Sequence, residues 1–231
     1  MKTYPWLTLL LLLSITITTI HSAKVVDLHG KFSNFTCLRS LGYSHTIVRA
    51  YHSYGAIDTE APPSIAQSNS AGFSTDTYMF PCRGKNATTQ VTDLINYLES
   101  LLQTKDTPSI YDYTTGTIWL DIETNPSSGC SWALGNPESN CEFIQELVTA
   151  IEGRGRAVGI YASGYMWNQI MGNRENCQKF ANYPLWYAHY DGKENFDDWP
   201  TSKFGGWTVP TLKQYAGSSV TCGYDFDLSF Y

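Results

Sequence analysis

The chain of 231 residues has few charged residues and no block of positive charge. Only 16% of its residues are charged, the formal net charge is −6, and no run of Lys or Arg exceeds two residues. This composition argues against nucleic acid as a partner, because phosphate backbones are bound through clustered Lys and Arg. With 42% hydrophobic residues, the sequence favours a globular core and excludes the disordered class.

The sequence also lacks any Cys-x-x-Cys pair, and its five histidines are scattered. A cysteine-held metal site is therefore not indicated, and we predict no metal and no other cofactor. The cysteines form an even set of six, which predicts three disulfides in an oxidising compartment. Fifteen pairings are possible, and the one pair we favour is Cys130 with Cys141, because it closes one short loop.

The N-terminus has the three parts of a secretory signal: Lys2, an apolar run over residues 6–20, and the small-residue end His21-Ser22-Ala23. Thr and Ser interrupt the run, which favours cleavage over a membrane anchor, and no other stretch is apolar enough to span a bilayer. We therefore predict a signal peptide at residues 1–23 and one domain over residues 24–231. We expect no stable membrane association after cleavage, and a location outside the cell or in a lysosomal or phagosomal lumen. Sequons at Asn34 and Asn86 are consistent with this route.

Short β-rich runs alternate with helical patterns over the first two thirds of the chain. The patterns predict strands at residues 24–28, 46–51, 77–80, 117–122 and 157–161, and helices at 64–71, 90–103 and 142–151. The last third has strand patterns at 185–189, 211–215 and 224–231, joined by Gly-, Pro- and Trp-rich loops. This order predicts an α/β fold, a modified TIM-like barrel with about five β-α units followed by three strands with short connections.

Residues 118–123 read Ile-Trp-Leu-Asp-Ile-Glu, an apolar run that ends in two carboxylates one residue apart. Side chains alternate across a strand, so Asp121 and Glu123 share a face, about 6 to 7 Å apart along the chain. Two acids this close cannot both ionise freely, so one should keep its proton nearer to neutral pH. A proton donor beside an anion is what cleavage of a glycosidic bond requires. The alternative is a pair of solvated acids at a strand tip.

Other polar residues end the predicted strands, and the functional face of a β/α barrel lies at the carboxyl ends of its strands. Barrel closure brings strands one and eight together, so Asp27 and Asp227 should approach the acid pair of strand four. Asp225 shares the parity of Asp227, and spacing alone leaves open which of them enters the site. The predicted substrate-binding residues are Arg49, Tyr51, Tyr161, Tyr187 and Gln214. For the aromatic ones, packing in the core is the alternative to stacking on sugars.

Eight segments across the predicted mature chain match one family in order. They are Val25-Val26-Asp27, Ile47-Val48-Arg49-Ala50, Met79-Phe80-Pro81-Cys82, Ile118-Trp119-Leu120-Asp121-Ile122-Glu123, Gly159-Ile160-Tyr161, Leu185-Trp186-Tyr187-Ala188-His189-Tyr190, Lys213-Gln214-Tyr215 and Phe226-Asp227-Leu228. On these segments the chain resembles glycoside hydrolase family 25, the N-acetylmuramidase lysozymes, and most closely their disulfide-bearing eukaryotic branch. The resemblance implies hydrolysis of the β-1,4 bond between N-acetylmuramic acid and N-acetylglucosamine in bacterial peptidoglycan.

The resemblance also implies catalytic roles. The catalytic acid of the family corresponds to Glu123, its partner to Asp121, and the acids of the first and last strands to Asp27 and Asp227. The implied mechanism retains configuration and uses the acetamido group of the substrate as nucleophile. Two departures concern the surroundings of the site: Leu28-His29-Gly30 follows Asp27 where the family usually has Val-Ser, and Ser229 stands where Asn is common.

Three other functions compete with a secreted, monomeric lysozyme. A family 18 chitinase would need Asp where Trp119 and Thr117 stand, and a metal-dependent phosphodiesterase would need paired histidines on strand one or two. A catalytically silent barrel that binds peptidoglycan or chitin would gain little from a crowded, self-repelling acid pair. The sequence therefore favours the hydrolase.

Overall fold

The computed structural model describes residues 23–101 and 116–231, which form a closed, mostly parallel β-barrel with helices around it. β1 pairs with β2 in parallel and with β9 antiparallel, which closes the ring, while β3 extends the edge of β2. The strands are β1 (Lys24–Leu28), β2 (Tyr43–His52), β3 (Ala56–Ile57), β4 (Ser74–Met79), β5 (Thr117–Asp121), β6 (Ala157–Ala162), β7 (Leu185–Ala188), β8 (Leu212–Thr221) and β9 (Tyr224–Phe230).

One helix follows each of the first five barrel strands, and the later connections contain only short helical segments. The helices are α1 (Phe35–Ser40), α2 (Ala61–Ser70), α3 (Ala87–Ser100), α4 (Pro137–Glu152), α5 (Gly164–Met171) and α6 (Trp199–Ser202), with a 3-10 turn at Gln178–Phe180. After β7 the connection contains only the four-residue α6, and β8 runs into β9 through a tight turn. Five β-α units followed by three strands confirm the predicted modified TIM-like barrel.

Capping residues move the helix starts away from their predicted positions. Asn86 Oδ1 accepts a hydrogen bond from the backbone N–H of Thr89, so α3 begins three residues before the predicted start. Asn136 does the same for Ser139, and Pro137 then occupies the first turn of α4. The predicted end of the α3 pattern, at residue 103, lies outside the described residues.

Alternation along the strands separates an inner layer of side chains from an outer one. The inner layer fills the barrel and comprises Val25, Ile47, Trp119, Tyr161, Trp186, Ala188 and Leu212, whereas the outer layer packs under the helices. Gly159 makes room for this filling, because a Cβ added there would lie 2.4 Å from Cζ3 of Trp119. At the amino ends of the strands, Asp76 accepts hydrogen bonds from Thr117 N at 2.8 Å and Trp119 Nε1 at 2.9 Å. These contacts fill the barrel at the amino ends of its strands, so the opening lies at the carboxyl ends.

The three disulfides predicted from the cysteine count are present, but the pair we favoured is wrong. The observed pairs are Cys37–Cys222, Cys82–Cys130 and Cys141–Cys177. Cys130 pairs with Cys82 because both follow neighbouring strands, β5 and β4, at the same end of the barrel. Cys141 lies within α4 instead and pairs with the loop that follows α5. Spatial neighbours across the barrel, and not proximity in sequence, decide the pairing.

The predicted signal peptide falls almost entirely on residues 1–22, outside the described part of the chain. Within residues 23–101 and 116–231, none of the helices has the length and apolar character needed to cross a bilayer.

Candidate active site

A cavity of about 140 Å³ opens at the carboxyl ends of the barrel strands. We call it the acidic cavity, because four carboxyl groups line it. Its lining residues are Asp27, Tyr78, Asp121, Glu123, Tyr161, Trp186, Tyr190, Gln214 and Asp227. All four predicted catalytic residues are therefore brought together, with two of the five predicted substrate-binding residues, Tyr161 and Gln214.

The pair Asp121 and Glu123 extends from the end of β5 into this cavity, as strand alternation requires. Burial and the neighbouring charges of Glu123 and Asp27 raise the pKa of the buried Asp121 carboxyl well above its usual range. Burial and the charge of Asp227 raise the pKa of Glu123. Asp121 Oδ1 has no hydrogen-bond partner among the described residues. The pair thus offers a carboxyl group that holds its proton and a buried oxygen free to accept a hydrogen bond.

Gln214 on β8 connects the other two acids. Its Nε2 donates to Asp27 Oδ2 at 2.8 Å and to Asp227 Oδ2 at 3.3 Å. Its Oε1 accepts from the hydroxyl groups of Tyr161 at 2.6 Å and Tyr190 at 2.9 Å. The side chain is 2% exposed, so this amide uses both donors and its acceptor inside the cavity wall. Gln214 fixes the acids of β1 and β9 at the barrel closure.

The closure also resolves the choice between Asp225 and Asp227. In the β1–β9 pairing Asp227 lies opposite Asp27, and its Oδ1 accepts from the backbone N–H of Ser218 at 2.8 Å. Asp225 is exposed and does not line the cavity. Burial and the charge of Asp227 raise the pKa of Asp27 well above its usual range, although the Gln214 hydrogen bond opposes this shift.

Three predicted substrate-binding residues lie elsewhere. Arg49 Nε donates to Asp58 Oδ2 at 2.9 Å. Tyr51 is buried in the outer layer, because an irregularity in the β2–β4 pairing between Arg49 and Tyr51 breaks the alternation. Tyr187 also belongs to the outer layer and donates to Asp198 Oδ2 at 2.7 Å. None of the three lines the acidic cavity.

Tyr78 and Tyr190 line the cavity although we did not predict them as site residues. Tyr78 is in phase with Asp76 on β4, so its inward direction follows from alternation. Tyr190 continues the phase of Trp186 and Ala188 beyond the end of β7, and its hydroxyl oxygen lies 3.2 Å from Asp227 Oδ2. The spacing 186, 188, 190 was a readable signal for this tyrosine.

A second group of polar residues, His189, Asp191 and Asp198, has the ligand types of a cation site. The ammonium group of Lys213 already lies between the two carboxylates, 2.8 Å from Asp191 Oδ2 and 2.9 Å from Asp198 Oδ1. Its side chain is 0% exposed, and it holds the pKa of Asp198 down to about 2, although burial opposes that shift. The cluster is therefore an ion network around the buried Lys213, and it secures the loop after β7, which carries Tyr190.

Comparisons with known proteins agree with this geometry. A family model described as "Lysozyme-like protein 1" matches residues 18–215. A Dictyostelium discoideum protein, "Probable GH family 25 lysozyme 2", is 37% identical over 214 residues, 92% of this chain and 88% of that protein. "Probable GH family 25 lysozyme 5" of the same organism is 40% identical over 202 residues, 86% of this chain and 85% of that protein.

The fold is also similar to that of solved structures. The family 25 lysozyme of Aspergillus fumigatus superposes with a TM-score of 0.67 at 19% identity, over 91% of this chain and 94% of that one. The identity to the Dictyostelium proteins extends across nearly the whole described barrel. The acid-lined cavity, the barrel around it and these relatives together show that the chain belongs to glycoside hydrolase family 25 and is a glycoside hydrolase of the lysozyme type.

Proposed function

We propose that the protein hydrolyses the β-1,4 bond between N-acetylmuramic acid and N-acetylglucosamine in bacterial peptidoglycan. The observation that carries the proposal is the single cavity in which Glu123, with a raised pKa, lies beside Asp27, Asp121 and Asp227. A barrel that only bound sugars would incur the repulsion and burial of these acids without using them. The lysozyme names of the relatives support the same substrate class.

In the proposed mechanism the configuration at the anomeric carbon is retained. Glu123 donates its proton to the departing glycosidic oxygen while the acetamido oxygen of the substrate attacks the anomeric carbon. Asp121 accepts a hydrogen bond from the acetamido N–H, a role for which its free Oδ1 is suited. Glu123, now ionised, then takes a proton from the water that opens the cyclic intermediate. Asp27 and Asp227 hold sugar hydroxyl groups, and burial and the charge of Asp227 keep the pKa of Glu123 high.

We also propose export by the signal-like N-terminus, to the outside of the cell or to a lysosomal or phagosomal lumen, and action as a monomer. The three disulfides support an oxidising compartment. Asn34 and Asn86 are both exposed in the fold, which is compatible with a glycan on either one.

The bond specificity is tested by identifying the sugar at the new reducing ends after digestion of purified peptidoglycan. Borohydride reduction followed by mass spectrometry should show muramitol derivatives from N-acetylmuramic acid. Reduced glucosamine derivatives would assign the cleavage to the other glycosidic bond and contradict the proposal.

The raised pKa of Glu123 predicts a pH profile and its dependence on Asp227. Glu123 acts while protonated, so kcat/KM should fall as pH rises through its pKa. Burial and the charge of Asp227 both raise that pKa, so Asp227→Asn should lower it and move the alkaline limb to lower pH. Wild type should itself be most active in acid, because the net-negative chain and anionic peptidoglycan repel each other less there.

Asp225→Asn is the matched control for this profile, because it removes an equal charge two residues away from an exposed position. Its alkaline limb should coincide with that of wild type. An Asp227→Asn limb that stays in place or moves to higher pH would contradict the assignment of Glu123 as the acid, as would a wild-type activity that rises from pH 5 to 8.

A further inference from the structure

A second cavity, of about 170 Å³, opens between the carboxyl ends of β6 and β7. We call it the side cavity. The segment from Trp186 to Tyr190 separates it from the acidic cavity: Trp186 and Tyr190 line the acidic cavity, whereas Tyr187, Ala188 and His189 line the side cavity. The backbone N–H of His189 donates to the carbonyl of Gln214 at 2.9 Å. The two cavities are therefore neighbours at the barrel mouth, one strand apart.

The charge available in the side cavity is positive. Arg174 lines it, and its Nη1 donates to the carbonyl oxygen of Ser202 at 3.3 Å. Nine ion pairs occur within residues 23–101 and 116–231, and none of them includes Arg174. Its backbone is fixed, since the carbonyl oxygen of Arg174 accepts from Gly205 N at 2.7 Å. The nearby carboxylate of Asp198 is already paired with Lys213.

The remaining lining residues suit an organic group that carries this negative charge. Tyr165 is 66% exposed at the cavity, so its ring presents a flat apolar face to a ligand. The side chain of His189 is 48% exposed, and its Nδ1 is 2.6 Å from Asp198 Oδ2. That contact orients the imidazole and leaves Nε2 for a polar contact with a ligand. A carboxylate on a short organic substituent matches these three side chains.

We propose that the side cavity is a substrate subsite for a carboxylate-bearing substituent on the sugar next to the cleaved bond. Arg174 forms an ion pair with the carboxylate, and Tyr165 packs against the substituent. This inference rests on the proposed function, because in peptidoglycan such carboxylates belong to the stem peptide attached to muramic acid or, where no peptide is attached, to the lactyl group itself. The subsite selects substituted muramic acid over the unsubstituted sugars of chitin.

Binding in a catalytically inactive background tests the subsite without depending on turnover. Glu123→Gln protein is titrated by calorimetry with soluble peptidoglycan fragments that retain their stem peptides. Adding Arg174→Gln should weaken binding about tenfold, the loss of one partly exposed charge-assisted contact. The matched control is Arg154→Gln, which removes an arginine before the amino end of β6, at the end of the barrel opposite the side cavity, where it pairs with Glu99 at 2.6 Å. The control should bind as the parent does.

Modified fragments identify the carboxylate. In the fragments that retain their stem peptides the lactyl carboxyl group is bonded to the peptide as an amide, so an effect of Arg174→Gln there assigns a carboxylate of the peptide. An amidase hydrolyses that bond and sets the lactyl carboxylate free, so an effect that persists after the treatment shows that the subsite also accepts the lactyl group, and a lost effect restricts it to the peptide. When every carboxylate has been converted to an amide, the Arg174→Gln and parent proteins should bind equally. A residual tenfold difference on the amidated fragments would overturn the charge pairing.

Equal binding of parent and Arg174→Gln to unmodified fragments would overturn the subsite, as would the absence of binding to any fragment. If binding depends on Arg174 but wild-type protein releases no reducing ends of muramic acid, the subsite stands and the proposed bond specificity fails. The two proposals are therefore separable.

Discussion

Glu123→Gln is expected to lower the rate at which the protein clears a bacterial cell-wall suspension by about 10²- to 10⁴-fold, the usual contribution of a positioned acid. The amide keeps the shape and neutrality of the protonated carboxyl group but has no proton to transfer. It also removes one potential charge from a group of four neighbouring acids, so the fold should not suffer. The measurement is turbidity loss, together with binding of the variant to the same cell walls.

Glu146→Gln is the matched control, because Glu146 lies on the exposed side of α4. It should clear the suspension as wild type does. The catalytic assignment is wrong if Glu123→Gln protein clears as fast as wild type.

A separate experiment tests the acetamido role. A substrate without the N-acetyl group should lose cleavage far more than binding, whereas equal turnover would refute substrate assistance.

Much of the acidic cavity could be predicted because regular strands obey a two-residue period. Asp121 is the last residue of β5 and Asp27 lies one residue before the end of β1, so the directions of both side chains follow from strand alternation. Family resemblance singled out Asp227, but the β1–β9 register was needed to prefer it over Asp225. The barrel order followed from the alternation of strand and helix patterns, which is a local signal.

The differences between the predicted and observed cavity lining lie mostly where local alternation stops. Tyr51 follows an irregularity in strand pairing that could not be predicted from the sequence. Tyr187 is out of phase with Trp186, so it lines the side cavity and not the acidic cavity. Tyr190 reaches the cavity from a loop that Lys213 holds by burying its ammonium group between two acids. Such a contact joins residues that are distant in sequence, and no local pattern encodes it.

Ser229 shows how a departure from the family pattern is accommodated. Its Oγ accepts a hydrogen bond from Trp186 Nε1 at 3.1 Å inside the barrel. Ser229 is buried and lies two residues after Asp227 on β9, so the two side chains point to the same face of the strand. The serine therefore serves the wall of the acidic cavity by orienting Trp186, a contact that requires only a small acceptor.

Replacing both Cys37 and Cys222 by Ser is expected to destabilise the fold more than any other single disulfide removal. This pair joins residues 185 positions apart, whereas Cys141 and Cys177 are 36 apart. In the chain-entropy account the longer loop contributes roughly 5 kcal/mol and the shorter one roughly 4 kcal/mol. Urea unfolding under oxidising conditions measures both, with the Cys141→Ser, Cys177→Ser protein as the matched control.

The position of the bond gives this loss a functional consequence. Cys37 lies in α1, directly after β1, and Cys222 lies in the turn before β9, so the bond ties together the strands that close the barrel. Those strands carry Asp27 and Asp227. Activity should therefore disappear at a lower urea concentration in the Cys37→Ser, Cys222→Ser protein than in the control. A larger loss of stability in the control, or activity that outlasts it in urea, would show that the closure of β1 on β9 does not depend on this bond.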